Sequence, residues 1–210
     1  MNRWRQLIFR TAFIIPVTLM PNVHADDYTL VPDELLYCTT CHGVELGGNR
    51  LVNAPRLDGM EGWYVENQLR AFKKGWRGAH GQDTTGMEMR AQVVSFDEQQ
   101  IADATVFVTS VPARTKRMSH TVTGDIEKGK ALYATCAGCH GQQGEGSEAN
   151  QAPGLAGRND WYLVRQLKKF RIGARGYAQE DVLGARMSGA SALLKDDGAI
   201  EAVVAYIDTL

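Results

Sequence analysis

Every cysteine of the chain lies in one of two copies of the string Cys-x-x-Cys-His, at 38–42 and at 136–140. When such a string is helical, its two thiols lie one turn apart and its imidazole follows directly, so all three groups reach the same side. The thiols can then form thioethers with the vinyl groups of a haem while the imidazole binds the iron, and the string is the attachment signature of c-type haem. The residues that this signature assigns are the cysteines Cys38, Cys41, Cys136 and Cys139 and the histidines His42 and His140. We therefore predict two haem c groups.

Zinc binding and thiol redox chemistry also use Cys-x-x-Cys pairs. A zinc site would bring its pairs closer in sequence than the 98 residues that separate Cys38 from Cys136. A thioredoxin-like centre would lie near a βαβ pattern, which the sequence lacks. Because both strings are complete and no cysteine is left over, haem attachment is the favoured interpretation.

A c-type iron held by one histidine needs a sixth ligand, and methionine sulfur is a common one that raises the reduction potential. In the first half Met87 and Met89 both follow Gly86 closely. When the two strings are aligned, Met89 falls on Met187, whereas Met87 falls on Ala185. We therefore predict Met89 and Met187 as axial ligands; the alternative is that they only pack against the ring.

The two strings belong to a longer internal repeat. Shifted by 98 residues, the chain aligns with itself without a gap for more than 50 residues, up to Met89. Matched positions include Gly43, Pro55, Trp63, Tyr64 and Phe72 with their counterparts Gly141, Pro153, Trp161, Tyr162 and Phe170. After Met89 the second copy gains one residue, which indicates a loop. The chain is therefore predicted to contain two tandem domains of one type.

Apolar residues at helical spacing predict a helix in the middle and another at the end of each copy. The stripes are Val65, Leu69 and Phe72 and then Ile101, Ala104 and Val108 in the first copy, and Leu163, Leu167 and Phe170 and then Ile200, Val203 and Ile207 in the second. Ser95 and Glu98 fit a capping box at the start of the first terminal helix, and Asp196 fits the N-cap of the other. Because no segment alternates as a strand would, the predicted fold class is all-α.

Two glycine-bearing loops, 43–59 and 141–157, join each Cys-x-x-Cys-His string to the middle helix. Long loops in a small domain usually wrap a bound group. Pro55 and Pro153 each lie 13 residues after the predicted histidine ligand. We hypothesise that a backbone carbonyl in this loop accepts the hydrogen of histidine Nδ1, which would fix the ring tautomer and tune the iron.

Several polar and aromatic residues near the middle helix have two interpretations each. The aromatic ones are Trp63, Tyr64, Trp161 and Tyr162, which either donate ring hydrogens to haem propionates or pack in the core. Arg77 and Arg175 are either counter-ions of the propionates or solvated surface residues. Both pairs of interpretations stay open at this point.

The first 25 residues have the pattern of a secretory signal peptide. Arg3, Arg5 and Arg10 precede an apolar stretch at 11–20, which is shorter than the roughly 20 residues of a membrane span. A retained anchor is the alternative. Removal of this segment takes away three arginines and no acidic residue, so the formal net charge changes from −1 to −4, and this mildly acidic balance argues against nucleic acid as a partner. We predict an exported protein.

The predicted organisation is a signal peptide at 1–25, a first domain at 26–111, a linker at 112–123 and a second domain at 124–210. The linker is polar and has no apolar periodicity. Its short basic run is either solvated or contacts an acidic group.

From Cys38 to Leu210 the chain resembles tandem class I cytochromes c of the cytochrome c4 type. The resemblance rests on Cys-x-x-Cys-His-Gly, the Ala-Pro-x-Leu strings at 54–57 and 152–155, and Trp-Tyr-x-x-x-Gln-Leu. It implies two class I domains, each wrapped around one covalent haem with histidine and methionine ligands, facing each other across an interface. Few mature residues precede Cys38, which predicts a shortened first helix and a more exposed edge of the first haem.

The resemblance further implies single-electron transfer in the bacterial periplasm between redox partners such as a terminal oxidase, a reductase or a dehydrogenase, and peripheral membrane association stays open. One alternative is an electron-transfer subunit of a dehydrogenase complex. Another is a dihaem enzyme of the peroxidase or thiosulfate-oxidising type, which is disfavoured because both halves offer the same ligands. His80, aligned with Ala178, is the asymmetric residue: it is either a surface histidine or a replacement for Met89.

Overall fold

The computed structural model describes residues 35–113 and 120–210. The predicted signal peptide at 1–25 and residues 114–119 of the predicted linker lie outside this part. Within the described residues the regular secondary structure is helical and no strand is present, which confirms the predicted all-α class. No helix in these ranges is long and apolar enough to cross a membrane.

The two halves contain the same four α-helices in the same order. In the first half they are α1 at Leu36–His42, α2 at Gly62–Lys73, α3 at Thr84–Val93 and α4 at Glu98–Ser110, with a short 3-10 helix at Arg50–Val52. In the second half they are α5 at Ile126–His140, α6 at Asp160–Arg171, α7 at Val182–Ser191 and α8 at Asp197–Ile207. The predicted middle and terminal helices are therefore present in both halves.

Each half packs its helices around an apolar core, because the predicted stripes face inward. α2 packs against α3 and α4, and α6 packs against α7 and α8. The first core contains Leu35, Leu46, Val65, Leu69, Phe72, Val93, Ile101, Ala104 and Val108. The second contains Tyr133, Ala137, Leu163, Leu194, Ala199, Ile200, Val203, Val204 and Ile207.

The helix that carries each Cys-x-x-Cys-His string differs in length between the halves. α1 has 7 residues, whereas α5 has 15. The additional turns of α5 pack closely on α8, where a β-carbon at Gly129 would overlap the carbonyl oxygen of Ala202. Glycine is therefore the residue that lets these two helices cross at this distance.

The terminal helices begin at aspartate caps. Asp196 accepts a hydrogen bond from the amide of Ala199 at 2.7 Å, which confirms the predicted cap of α8. The predicted capping box of Ser95 and Glu98 is wrong. The box that caps α4 lies two residues further on: the Asp97 carboxylate accepts from the Gln100 amide at 2.8 Å, and the Gln100 side chain accepts in return.

Asp160, at the start of α6, holds the segment that leads into the second half. Its carboxylate accepts hydrogen bonds from the amide and hydroxyl of Thr121 and from the amides of Val122 and Trp161. Burial raises the pKa of this carboxyl, but the four donors outweigh burial and hold the pKa of Asp160 below its ordinary value.

Because the pKa of Asp160 is depressed in the folded protein, its stabilising effect is present above the unfolded pKa of about 3.9 and is lost as the pH falls through the folded value. We expect Asp160→Asn to reduce the free energy of unfolding at pH 7 by about 1–2 kcal/mol. Urea titrations at pH 7 and pH 3 should show the difference from wild type shrinking at the lower pH. Asp103→Asn, at an exposed position of α4, is the matched control. A difference that stays constant between the two pH values would contradict this assignment.

Candidate haem sites

The first half encloses a cavity of about 220 Å³. Cys38, Cys41 and His42 line it from α1, and Met89 lines it from α3. Most of the remaining wall is apolar, with Val65, Leu69, Phe72, Val93, Ala104 and Val108 among its residues. The structure thus brings the four predicted site residues of this half to a single cavity.

The second half encloses a corresponding cavity of about 360 Å³. Cys136, Cys139 and His140 line it from α5, and Met187 lines it from α7. Its apolar wall includes Leu155, Leu163, Leu167, Phe170, Leu194 and Val203. An apolar cavity with two thiols, one imidazole and one thioether is therefore repeated in both halves.

Met87 and His80 lie away from the first cavity. Met87 is 44% exposed. The Nδ1 atom of His80 accepts a hydrogen bond from the Gln82 amide at 3.2 Å, and its ring lies 5.4 Å from that of Tyr177, measured between centroids. The repeat therefore selected the methionine that faces the cavity, and His80 contacts the other half of the molecule.

Each cavity histidine is held by a proline carbonyl. His42 Nδ1 lies 2.6 Å from the carbonyl oxygen of Pro55, and His140 Nδ1 lies 2.8 Å from that of Pro153. A carbonyl only accepts, so each Nδ1 carries the hydrogen and Nε2 keeps a free lone pair for a metal. Burial lowers the pKa of both histidines, which favours the neutral form that binds iron. The predicted contact between the proline loop and histidine Nδ1 is confirmed, and its effect on the iron stays a prediction.

The proline loop is positioned by a close backbone contact. Gly48 has a φ of 87°, in the left-handed region, and a β-carbon there would lie 2.6 Å from the amide nitrogen of Arg56. Its amide donates to the carbonyl of His42 at 2.8 Å. Gly146 makes the equivalent bond to His140. Glycine is required at both positions because the loop folds back onto the predicted histidine ligand.

Two arginines are buried together between the halves. Arg77 hydrogen-bonds Tyr162, and Arg175 hydrogen-bonds Tyr64, so each contacts the tyrosine of the opposite half. Arg77 also donates to the Gln68 side chain at 2.7 Å, as Arg175 does to the Gln166 side chain at 2.7 Å. Burial, with Arg77 beside it, lowers the pKa of Arg175 to about 10, so the group remains a cation at neutral pH.

These arginines are the groups that an anionic cofactor edge would satisfy. The Nε atoms of Arg77 and Arg175 are buried and have no hydrogen-bond partner within the described part of the chain. Their guanidinium groups stack on Phe72 and Phe170, at 4.2 Å and 4.1 Å from the ring centroids. Both line the second cavity, and Arg77 also lines the first. A haem with two propionate carboxylates fits these cavities, because it supplies apolar surface to the walls and negative charge to the arginines.

Sequence reasoning missed how far each half completes the other's cavity. Gln68 and Gln166 line both cavities, as do Tyr64 and Tyr162. The signal was present, since both glutamines match in the repeat. Lys169, which also lines the first cavity, had no such signal because its counterpart is Ala71.

Residues that line the first cavity beside α1 are exposed, which is consistent with the predicted exposure of the first haem edge. Cys41 is exposed, whereas Cys139 is partly buried. Tyr37, which lines the first cavity next to Cys38, is 70% exposed. The wall beside the shorter helix α1 is therefore the more open one.

The fold and its two cavities define a tandem c-type cytochrome. A family model for cytochrome c matches residues 34–112 and again residues 126–210, and the chain belongs to the cytochrome c family. Cytochrome c4 of Azotobacter vinelandii is 31% identical over 149 residues, which cover 66% of this chain and 69% of that protein. The thiosulfate dehydrogenase electron acceptor of Stutzerimonas stutzeri strain A1501 is 29% identical over 154 residues, which cover 70% of this chain and 68% of that protein.

The fold is similar to that of a solved dihaem cytochrome. The crystal structure of reduced recombinant cytochrome c4 from Pseudomonas stutzeri matches with a TM-score of 0.64 and 26% sequence identity, over 84% of this chain and 95% of that one. The chain is accordingly a cytochrome c4-like electron carrier with two haem c groups, one in each tandem domain. The predicted family, cofactors and general function are confirmed.

We expect Arg175→Met to lower the free energy of unfolding of the haem-loaded protein by roughly 2–4 kcal/mol, because it leaves buried oxygens of Gln166 and Tyr64 without their donor. Guanidinium titration would measure the loss. Arg186→Met is the matched control, since Arg186 lines the same cavity but is exposed. An equal effect of both substitutions would contradict the structural role of the buried arginine.

Proposed function

We propose that each iron is bound by one histidine and one methionine and is closed, meaning that no coordination position is left open. The molecule then carries electrons and binds no substrate at iron. The ligands are His42 and Met89 in the first domain and His140 and Met187 in the second, with thioethers to Cys38, Cys41, Cys136 and Cys139. The observation that carries the proposal is that both ligands of each set line one cavity although they come from different helices.

A bound haem supplies an iron that gains or loses one electron. The chain's residues keep that change reversible. The proline carbonyls hold the imidazoles in one tautomer, the methionine sulfurs favour the reduced iron, and the apolar walls limit the access of water. The buried arginines Arg77 and Arg175 would pair with the propionate carboxylates.

The proposed setting is the bacterial periplasm, after removal of a signal peptide at 1–25. The proposed domain bounds are 26–111 and 124–210, with the linker at 112–123. The proposed partners are redox proteins such as a terminal oxidase, a reductase or a dehydrogenase.

The similarity to a thiosulfate dehydrogenase electron acceptor favours a second candidate, in which the chain is the dedicated acceptor subunit of a dehydrogenase. A free carrier would wash from the native membrane fraction at moderate salt. A dedicated subunit would remain with its catalytic chain through purification.

Methionine ligation is tested by substituting one methionine ligand at a time, which leaves an open coordination position on that iron. Reduced wild type is expected to bind no carbon monoxide, because both irons are closed. Met89→Ala and Met187→Ala should each allow one of the two haems to bind it, as measured by the change in the absorption spectrum per haem. Met87→Ala and His80→Ala are the matched controls and should behave like wild type. Carbon monoxide binding by unmodified protein, or by the Met87→Ala variant, would contradict the ligand assignment.

A further inference from the structure

The segment that leads to the methionine ligand makes different contacts with the opposite domain in the two halves. We call residues 75–89 the first methionine segment and residues 173–187 the second. Each contains a loop, an aspartate that caps the next helix, and the first turns of the helix that carries the methionine. Side chains of the second domain reach the first methionine segment at both its loop and its helix. The first methionine segment is therefore held from outside its own domain.

Lys169, on α6 of the second domain, contacts the start of α3. Its Nζ atom forms an ion pair with Asp83 and donates to the Thr85 hydroxyl at 2.6 Å, and the two charged side chains are 9% and 1% exposed. Asp83 is the N-cap of α3, where it accepts from the Gly86 amide at 3.1 Å. Thr85 lies one turn before Met89 on the same helix. The lysine therefore fixes the turn of α3 that precedes the methionine.

Tyr177, also in the second domain, contacts the loop at the beginning of the first methionine segment. Its hydroxyl donates to the carbonyl of Gly75 at 2.5 Å, and its ring lies 5.4 Å from that of His80, measured between centroids. This loop packs tightly on α3, because Gly78 has a φ of 71° and a β-carbon there would lie 2.2 Å from the carbonyl oxygen of Gly86. A displacement of the loop would therefore be passed to the start of α3.

The reciprocal contacts cannot form on the second methionine segment, because the first domain has alanine at the two positions concerned. Ala71 corresponds to Lys169 and Ala79 corresponds to Tyr177. A methyl group carries no charge and donates no hydrogen bond. The acceptor hydroxyl is also missing, since Leu183 takes the corresponding position in the second segment. The repeat thus gives both halves a capped methionine helix, but these cross-domain contacts reach only the first.

We propose that Lys169 and Tyr177 are positioning residues for Met89, so that closure of the first iron depends on contacts from the second domain, whereas closure of the second iron does not depend on the reciprocal positions. A cap and a hydrogen-bonded loop restrict the first turn of a helix, and a methionine one turn later moves with that turn. A helix held by fewer contacts opens locally more often, which would release its methionine from the iron. This inference rests on the proposed function, in which Met89 binds iron.

The test is the binding of imidazole to the oxidised holoprotein, followed by the loss of the weak far-red absorption band that methionine-bound ferric haem gives. Added imidazole reaches the iron only in molecules in which the methionine is released, so its apparent affinity is proportional to the released fraction. Lys169→Met should raise the imidazole affinity of one of the two haems by roughly tenfold, and Tyr177→Phe should raise that of the same haem by roughly threefold. The affinity of the other haem should equal that of wild type.

The haem that responds is identified in the Met89→Ala background, in which the remaining far-red band comes from Met187. Neither of the two substitutions should change imidazole binding to this remaining haem, because the positioning contacts act on the first methionine segment alone. A rise in this background equal to that in the unmodified protein would overturn the inference, since the effect would then not act through Met89.

The matched control is Lys168→Met, because Lys168 is the neighbouring lysine on α6 and pairs with Asp197 of its own domain. It should leave both imidazole affinities unchanged. An unchanged affinity in a folded Lys169→Met variant would overturn the inference. Tyr177→Phe removes only a hydroxyl from a side chain that is 42% exposed, so it decides the question in the same way if the lysine variant does not fold.

Failure of the proposed function would look different. Wild type is first checked for two covalent haems by mass and for a far-red band of full intensity per haem, of which Met89→Ala should remove half. A missing haem, or a band that Met89→Ala leaves unchanged, would contradict the proposed ligands. A full band with an imidazole affinity that neither substitution changes would contradict only the positioning role.

Discussion

The buried pair of arginines between the halves is the constraint on which the rest of the structure depends. Arg77 and Arg175 are each 6% exposed, and two cations buried so close together are costly unless polar groups and anions surround them. The tyrosines and glutamines of both halves supply acceptors, yet each Nε atom remains without one in the described residues. Haem propionates would supply the missing acceptors, and cofactor binding would then stabilise the pairing of the domains.

This constraint explains why the two halves depend on each other in the structure and are not merely repeated in the sequence. Tyr162 and Gln166 help to wall the first cavity, and Tyr64 and Gln68 help to wall the second. A half on its own would lose these walls and leave its arginine without the opposite tyrosine. The two-domain arrangement thus encloses the cofactors from sides that a single small domain cannot cover.

Much of each half could be predicted from the sequence, because the decisive signals are local or repeated. The Cys-x-x-Cys-His strings specify the attachment residues by spacing, and the alignment of Met89 with Met187 selects the cavity methionine. The stripe of Val65, Leu69 and Phe72 specifies the buried face of α2. The cap of α4 was misplaced by two residues because Ser95 and Asp97 are both good caps followed three residues later by Glu or Gln, and propensity does not choose between them.

The contacts between the halves could not be predicted in this way. Lys169 meets Asp83 across 86 residues of sequence, and Glu61 meets Gly154 across 93. Neither contact follows from periodicity, because both depend on how two finished domains pack. The internal repeat gives no signal for these contacts, because Lys169 and Glu61 lie at positions where the two copies differ.

The central claim is that both irons are closed by a histidine and a methionine. The absorption of the oxidised protein in the far red tests this most directly, because methionine sulfur bound to ferric haem gives a weak band there. The account predicts a band whose intensity per haem corresponds to methionine ligation at both sites. A band of half that intensity, or none, would show that one or both irons are open or differently ligated and would contradict the account.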